Sequence, residues 1–534
     1  MGYFADLRQY LTRLEEKGKL HRFKGEVVKE TQMAALVMLQ YRGVPEDQRK
    51  SFLFENVVGV KGRRYGNRVL MGCPASREIL ALGLGCSPEQ IKEKWSQACL
   101  HPVEPEIGAT GPVHEMVLEG QDLEKSGLES IGVPVDTPGF SGSVRTTTQV
   151  VTKDPETGTR NVGQYSGHFA GRREMRLAIA PPHHGAIHHV KWSRQGKKMP
   201  VAIVIGATPN ITLAGATPVP YGADEYAIAG GIAGEPVKLV KCRTVDLEVP
   251  ATAEMVIEGE MTDQMEAHAA FGDYPGYVYE VGNRFVPIMR VKCITHRRDP
   301  IFVGFDIGYP PTATTVLECV AIEASLYQHL KRELHMPGVL DVACHYSGGA
   351  RNYIVIQMKK IAPWDPWQAL NALTGFGAML GKISIVVDDD IDPRDPEAVN
   401  WALSFRMQPH RDMRVITHRS PLLDVSAHPP DCSNEERHFP SPSGASALLI
   451  DATRKWAYAP VGLPKKEYME QALAIWEREK LPKLDLRQPW HGYHLGYWRE
   501  EDEDNAQLIV TGEYQKLWEK LGRNRVPLRG PFEA

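Results

Sequence analysis

The chain has 534 residues, with 62 Lys and Arg against 66 Asp and Glu, and a formal charge of −4. A balance this even points away from nucleic acid and from anionic membrane surfaces, and no apolar run reaches the ~18 residues of a membrane span. An apolar share of 42% with 24% charged residues is that of a globular protein with a large core, and the length allows roughly three domains.

MGYFADLRQYL lacks the basic-then-apolar pattern of a signal peptide, and Asp6 stands where myristoylation prefers Ser or Thr. Eight cysteines are scattered without a CxxC pair, which argues against zinc-ribbon and thioredoxin chemistry and for reduced thiols in the cytoplasm. Phe4, Leu7, Leu11 and Leu14 recur at helical spacing, and Gly18 stands where that helix would end. SFLFENVVG (51–59) reads as a buried strand and residues 74–99 as two short helices, completing a small α/β domain over 1–115. From 116 to 316 come the β-branched runs TTTQVVT, VAIVIGA, VKLVKCRTV, LEVPATAEMVIEGE, RFVPIMRVKCITH and IFVGF, which predict an antiparallel barrel or sandwich. A strong helix over 318–334 serves as a linker (317–336). Beyond it VLDVACHY, NYIVIQMK and KISIVVDDDID flank a helical PWQALNALTGFGAML, predicting a parallel or mixed sheet in a third domain, 337–534. The tail carries Trp476, Trp490, Trp498 and Trp518, a composition suited to packing on another subunit.

Chemistry concentrates between Arg160 and Trp192, where His183, His184, His188 and His189 fall within seven residues. Neutral imidazoles ligate metals and titrate near neutral pH, although a histidine-rich helix surface explains the cluster equally well. His184 and His188 would share a helix face, but no glutamate lies between them as in a zincin. Asp388, Asp389 and Asp390 follow a strand, as magnesium-binding carboxylates or as a solvated turn. GFGAMLGK (375–382) misses the spacing of a phosphate loop. Asp224-Glu225, ahead of AIAGGIAG, reads first as a helix cap.

In their order along the chain these motifs resemble the UbiD family of non-oxidative decarboxylases, which use prenylated FMN. FADLRQYLTRLEEKGKL resembles the family's opening helix and SFLFENVVG its first buried strand. RNVGQYS resembles its NxGxYR, TPVPYGADEYAIAG its prolines and Ser-Glu pair, and LEVPATAEMVIEGE its VPA-x-AE-IV-x-EG signature. FGDYPGY, VVDDDID, WALSFRMQP and LLIDATRKW match as well. The resemblance implies a mixed α/β (α+β) fold: a small N-terminal α/β domain, a central split β-barrel that binds the flavin, and a C-terminal α/β domain joined by a long helix. It further implies a divalent metal, manganese or iron, held with the cofactor phosphate by Asn161, His184 and Glu225, ligands that suit such ions. Potassium is implied beside Ala214 and Thr217, with Arg406 nearby. Gly163, Gln164, Tyr165, His183, Ala216, Thr217, Pro218 and Lys382 complete the implied cofactor contacts.

Two departures stand out. The family's catalytic network is an acid, an arginine and a second acid. Here the arginine position holds Ser166, and HAAFGD puts His268 at the first acid and Asp273 at the second. The family's charged GRPPDE reads GYPPTAT, with Tyr309, Thr312 and Ala313 in place of charges. The implied activity is reversible decarboxylation of an aromatic or α,β-unsaturated acid, with Asp273 returning the proton and His268 supplying a switchable positive charge. An aromatic acyl-CoA with a free carboxylate, of the phthaloyl-CoA type, is one expected substrate. A flavin prenyltransferase supplies the cofactor, and the assembly is an even-numbered homo-oligomer, a dimer or hexamer. Rival readings are a carboxylase, a non-catalytic flavin-binding partner subunit, and a histidine-based metal hydrolase.

Overall fold

The computed structural model describes residues 2–179, 183–279, 285–304, 306–420, 423–429, 432 and 444–527. It forms two compact units, one of Met1–Val386 with Met413–Ile450 and one of Val387–Asp412 with Asp451–Ala534.

In the first unit the opening helix α1 (Leu7–Glu16) starts where Asp6 accepts the N–H of Gln9, and it buries Leu7, Tyr10, Leu11 and Leu14. Gly18, at φ +68°, makes the left-handed exit. Strand β1 (Leu20–Val28), helix α2 (Met33–Gly43), and strands β2 (Ser51–Val58) and β3 (Arg68–Met71) follow, then helices α3 (Arg77–Leu84) and α4 (Ile91–Leu100). β1 and β2 pair in parallel, while β2 and β3 pair antiparallel.

The central segment runs β4 (Glu106–Gly108), β5 (Met116–Glu119), α5 (Gly120–Lys125), β6 (Arg145–Lys153), β7 (Arg160–Phe169), β8 (Glu174–Ala178), α6 (His184–Arg194), β9 (Met199–Ile205), α7 (Pro209–Ala216) and α8 (Glu225–Ala233). It continues through β10 (Lys238–Lys241), β11 (Glu248–Pro250), β12 (Met255–Ala267), β13 (Phe271–Gly272), β14 (Val278–Tyr279) and β15 (Phe285–His296). The order β12-β9-β6-β7-β8-β15, with β12 also paired to β15, closes a six-stranded barrel that removes the sheet's free edges. β5 adds to the outside of β15. Two of the predicted strands lie elsewhere. VKLVK forms β10, in a small sheet with β4 and β11, and IFVGF gives β16 (Ile301–Val303), which pairs parallel to β3 in the N-terminal sheet. A β-branched run specifies a strand but not the sheet it joins.

The β6–β7 register runs from Arg145 opposite His168 to Lys153 opposite Arg160. Side chains alternate, so Asn161, Gly163 and Tyr165 lie on one face of β7, and Gln164, Ser166 and His168 on the other.

The expected linker helix is α9 (Ala313–Tyr327), continued by a π-helical turn, Gln328–Glu333. It is buried rather than spanning solvent: Leu317, Val320 and Ala324 join the barrel-side core, while Cys319, Ile322 and Leu326 join a second core. That second core underlies a five-stranded sheet of β17 (Val339–Cys344), β18 (Tyr353–Met358), β19 (Ile383–Asp388), β20 (Met413–Ile416) and β21 (Ala447–Ala452), in the order β17-β18-β19-β21-β20. Helix α10 (Asp365–Phe376) connects β18 to β19.

In the second unit Asp388 and Asp390 are neither a solvated turn nor part of a metal cluster among the described residues. Both accept hydrogen bonds from the buried Arg406, at 3.1 and 2.6 Å, and Asp390 also accepts from Tyr493. Among the described residues no helix is long and apolar enough to cross a membrane.

Candidate active site

One hydroxyl organises the face of β7 that carries Asn161. Tyr165 is buried, and its oxygen accepts the backbone N–H of Gly185 at 3.3 Å at the start of α6, beside His184. Burial raises the hydroxyl's pKa to about 12, with Asn161 lowering it and the charge of Glu225 raising it. Gly163 makes this geometry possible, because a Cβ there would overlap the Tyr165 ring. Gly163 thus has a packing role against Tyr165.

Glu225 opens α8, and its Oε2 accepts the amide N–H of Val162 at 2.9 Å. The cap of that helix is the preceding residue: Asp224 accepts the N–H of Tyr226 and binds the Arg160 guanidinium. Glu225 is therefore free of capping, 3% exposed, and without an ion-pair partner among the described residues. Burial pushes its carboxyl up to about 8.

The histidines divide differently from the sequence expectation. His188, expected on the helix surface, is 2% exposed, and burial pushes its pKa down to about 4. Its Nδ1 lies 2.9 Å from Thr152 Oγ1, and that hydroxyl also accepts from Asn161 Nδ2 at 3.3 Å. His189 is half-buried, with Nε2 3.0 Å from the carbonyl of Thr262. His184 is held toward its neutral form by burial and then by His183. Its ring stands edge-on to Tyr221, which also contacts His188 and donates to Asp154. His183 stands edge-on to Tyr165. Tyr221 and Thr152 carried no sequence signal, since only the packing of α6 on β6 and β7 brings them here.

Asp273 sits in the tight hairpin of β13 and β14. Its N–H donates to the carbonyl of Tyr277 at 3.1 Å, and Oδ1 accepts the N–H of Tyr274 at 2.7 Å. His268 is buried, with Nδ1 2.6 Å from the carbonyl of Ala269 and its ring 4.1 Å from His168 and 4.2 Å from Phe271. Ser166 Oγ lies 3.1 Å from Thr147 Oγ1. Gln164 lies beside them on that face and donates weakly to the carbonyl of Thr147.

At the end of α7 the Thr217 hydroxyl donates to Leu213, the Thr217 N–H donates to Ala214, and Ala216 is partly exposed. The carbonyl of Pro218 is occupied by the Ser325 hydroxyl. Lys382 ion-pairs with Asp424 at 2.8 Å and lines a cavity of about 320 Å³ with Pro275 and Tyr277, just past Asp273 in sequence. Arg406 lies in the second unit with both terminal nitrogens taken by Asp388 and Asp390, which explains its burial without any ion beside it.

Whether the residues fit a divalent cation is decided by the donor set. A buried carboxylate without an ion-pair partner, a neutral imidazole and an amide tied to Thr152 are oxygen and nitrogen donor types that suit a divalent ion. No trio of His, Cys, Asp and Glu gathers among the described residues.

Three models of one family, all described as 3-octaprenyl-4-hydroxybenzoate carboxy-lyase, match in order: the N-terminal domain over residues 11–99, the Rift-related domain over 106–310 and the C-terminal domain over 315–452. Among solved structures, an evolved dimeric form of the UbiD-class enzyme HmfF from Pelotomaculum thermopropionicum, in complex with prFMN, is 29% identical at a TM-score of 0.73 over 86% of this chain and 97% of that one. The vanillic acid decarboxylase of Sedimentibacter hydroxybenzoicus, in closed form, is 27% identical at 0.76 over 90% and 100%. The apo 3,4-dihydroxybenzoic acid decarboxylase of Enterobacter cloacae is 26% identical at 0.74 over 91% and 98%. Since the family's three domains follow one another over most of this length, the chain belongs to the UbiD family of carboxy-lyases.

Proposed function

We propose that this protein decarboxylates an aromatic or α,β-unsaturated carboxylic acid non-oxidatively with prenylated FMN. The observation that supports the reading is that the start of α6 beside His184 meets the Tyr165 hydroxyl on the face of β7 that carries Asn161, while Glu225 accepts the backbone N–H just past Asn161. Asn161, His184 and Glu225 would hold a manganese or iron ion against the cofactor phosphate, and His183, Gln164, Ala216, Thr217, Pro218 and Lys382 would contact the cofactor. Potassium would sit at the end of α7, near Ala214 and Thr217.

Prenylated FMN, when bound, supplies the electrophilic centre that accepts the electron pair left as carbon dioxide departs. The remaining steps fall to the chain. The barrel wall keeps the carboxylate out of bulk water. Asp273, fixed by its hairpin, gives a proton to the carbon that lost carbon dioxide and is recharged from solvent. By microscopic reversibility the same groups run carboxylation at high bicarbonate. Replacement of the family's charges by Ser166, Tyr309, Thr312 and Ala313 supports a substrate other than a simple phenolic acid, and a phthaloyl-type CoA thioester with a free carboxylate is the substrate proposed. The assembly proposed is an even-numbered homo-oligomer supplied by a flavin prenyltransferase.

The test is co-expression with that prenyltransferase, followed by the visible spectrum and mass of the bound cofactor and by carbon dioxide release from a panel of free acids and CoA thioesters. Conversion of the thioester is expected. Conversion of free acids alone overturns the thioester assignment, and cofactor bound without turnover or proton–deuterium exchange overturns the enzyme reading in favour of a partner subunit.

A further inference from the structure

Ser166 brings a hydroxyl where the family's pattern implies a guanidinium, and the barrel register places a different guanidinium on the same face. Arg145 opens β6 opposite His168, two residues from Ser166, so Arg145, Thr147, Ser166 and His168 share one face. Arg145 is 6% exposed. Its Nε donates to Asp136 Oδ2 at 2.7 Å, and Nη2 reaches both that carboxylate and the carbonyl of Gly272.

These contacts bear directly on Asp273, the next residue after Gly272. Asp136 is itself fixed by the Ser141 hydroxyl at 2.6 Å and the Thr137 amide at 3.0 Å. Gly272 packs so closely that a Cβ would lie 2.8 Å from Thr137 Oγ1. The chain Asp136–Arg145–Gly272 thus clamps the root of the Asp273 hairpin.

One side of the guanidinium is left over. Arg145 Nη1 is buried and has no acceptor among the described residues, and neither has the nearby His168 Nε2. Ser143 lies 2.6 Å from His168 Nδ1, and with its hydroxyl donating there Nε2 carries the proton. Buried charged donors are seldom left unfilled in folded proteins. The charged Nη1 and the neutral His168 Nε2, both buried without an acceptor on one barrel face, suit an anion.

We propose that Arg145 is the carboxylate-binding residue of this active site: its inner edge holds the Asp273 hairpin through Gly272, and its free Nη1 receives the substrate carboxylate in place of a charge at position 166. The assignment rests on the decarboxylase reading above, and it gives that reaction a cation that His268 need not supply.

The test uses holoenzyme titrated with benzoate and followed by flavin fluorescence, an equilibrium that needs no turnover. Arg145→Gln is expected to raise the benzoate Kd by roughly tenfold or more, with flavin content retained. Adding Ser166→Arg in that background is expected to recover most of the affinity. Should the buried Asp136 make Arg145→Gln unstable, Arg145→Gln with Asp136→Asn keeps the pair neutral and is expected to show the same loss. Benzoate affinity unchanged in a folded variant overturns the proposal. Holoenzyme that binds benzoate through Arg145 but releases carbon dioxide from no acid overturns the decarboxylase reading and leaves Arg145 as an anion-binding residue. Carbon dioxide release that persists alongside unchanged benzoate affinity in Arg145→Gln overturns Arg145 alone.

Discussion

Glu225 Oε2 accepts the amide N–H of Val162 at 2.9 Å, which ties the first turn of α8 to β7 one residue past Asn161. A carboxylate in that place serves the fold poorly unless a cation joins it, because burial pushes its pKa up to about 8.

Glu225→Gln is therefore expected to weaken divalent-metal binding by at least about 100-fold, read as metal content by mass spectrometry and flavin retention on gel filtration. In metal-free protein the same change is expected to help stability at alkaline pH. The folded-state pKa lies above the ordinary 4.5, so the wild-type carboxyl favours folding when protonated and loses that contribution as pH rises toward about 8. The variant is expected to show a flatter Tm over that window.

Asp273 is fixed in its hairpin by the Tyr274 and Tyr277 backbone. Asp273→Asn keeps its shape and its acceptor for Tyr274 N–H but cannot give up a proton. Turnover is expected to fall by about 10²–10⁴-fold, with the flavin spectrum unchanged. Carbon dioxide release measured beside the spectrum checks it, and near-normal release would remove Asp273 from the reaction.

His168 gives the fold an acid-sensitive point. Burial, then His268 and Arg145, push its pKa down to about 2, below the ordinary 6.5. Its contribution is present above the ordinary value and is lost as pH falls, because the unfolded chain takes up the proton first. The loss is expected to approach about 1.4 kcal/mol per pH unit below pH 6.5. Urea unfolding of wild type and His168→Gln at pH 7.5 and 5.5 measures it, and the variant is expected to show the smaller drop.

Arg406 pairs with two carboxylates inside the second unit. Removing it leaves Asp388 and Asp390 buried beside each other, although Arg454 still reaches Asp388 at 3.3 Å. Arg406→Met is expected to cost about 3–5 kcal/mol, with proteolysis appearing first within 451–527 and flavin content preserved. Parallel loss of flavin would return Arg406 to the site.

Much of the fold could be read from local pattern. The α1 stripe with its Gly18 exit, the strands of the barrel and the helix over 318–334 depend on short-range periodicity and turn chemistry, which a sequence displays directly. His188 shows the limit of that reading. Four residues from His184 it looks like the same face of a solvated helix, and only the packing of α6 over Thr152 buries it.

The sequence by itself determined the family and the order of the elements, because motif order and alternation are properties of neighbours along the chain. The tertiary structure alone decided that the Tyr165 hydroxyl meets the start of α6, that Asp224 rather than Glu225 caps α8, that Arg406 pairs with two aspartates, and that Arg145 stands across from His168. Those relationships depend on strand register and on which group burial strips of water, and both are set by contacts between residues far apart in the chain.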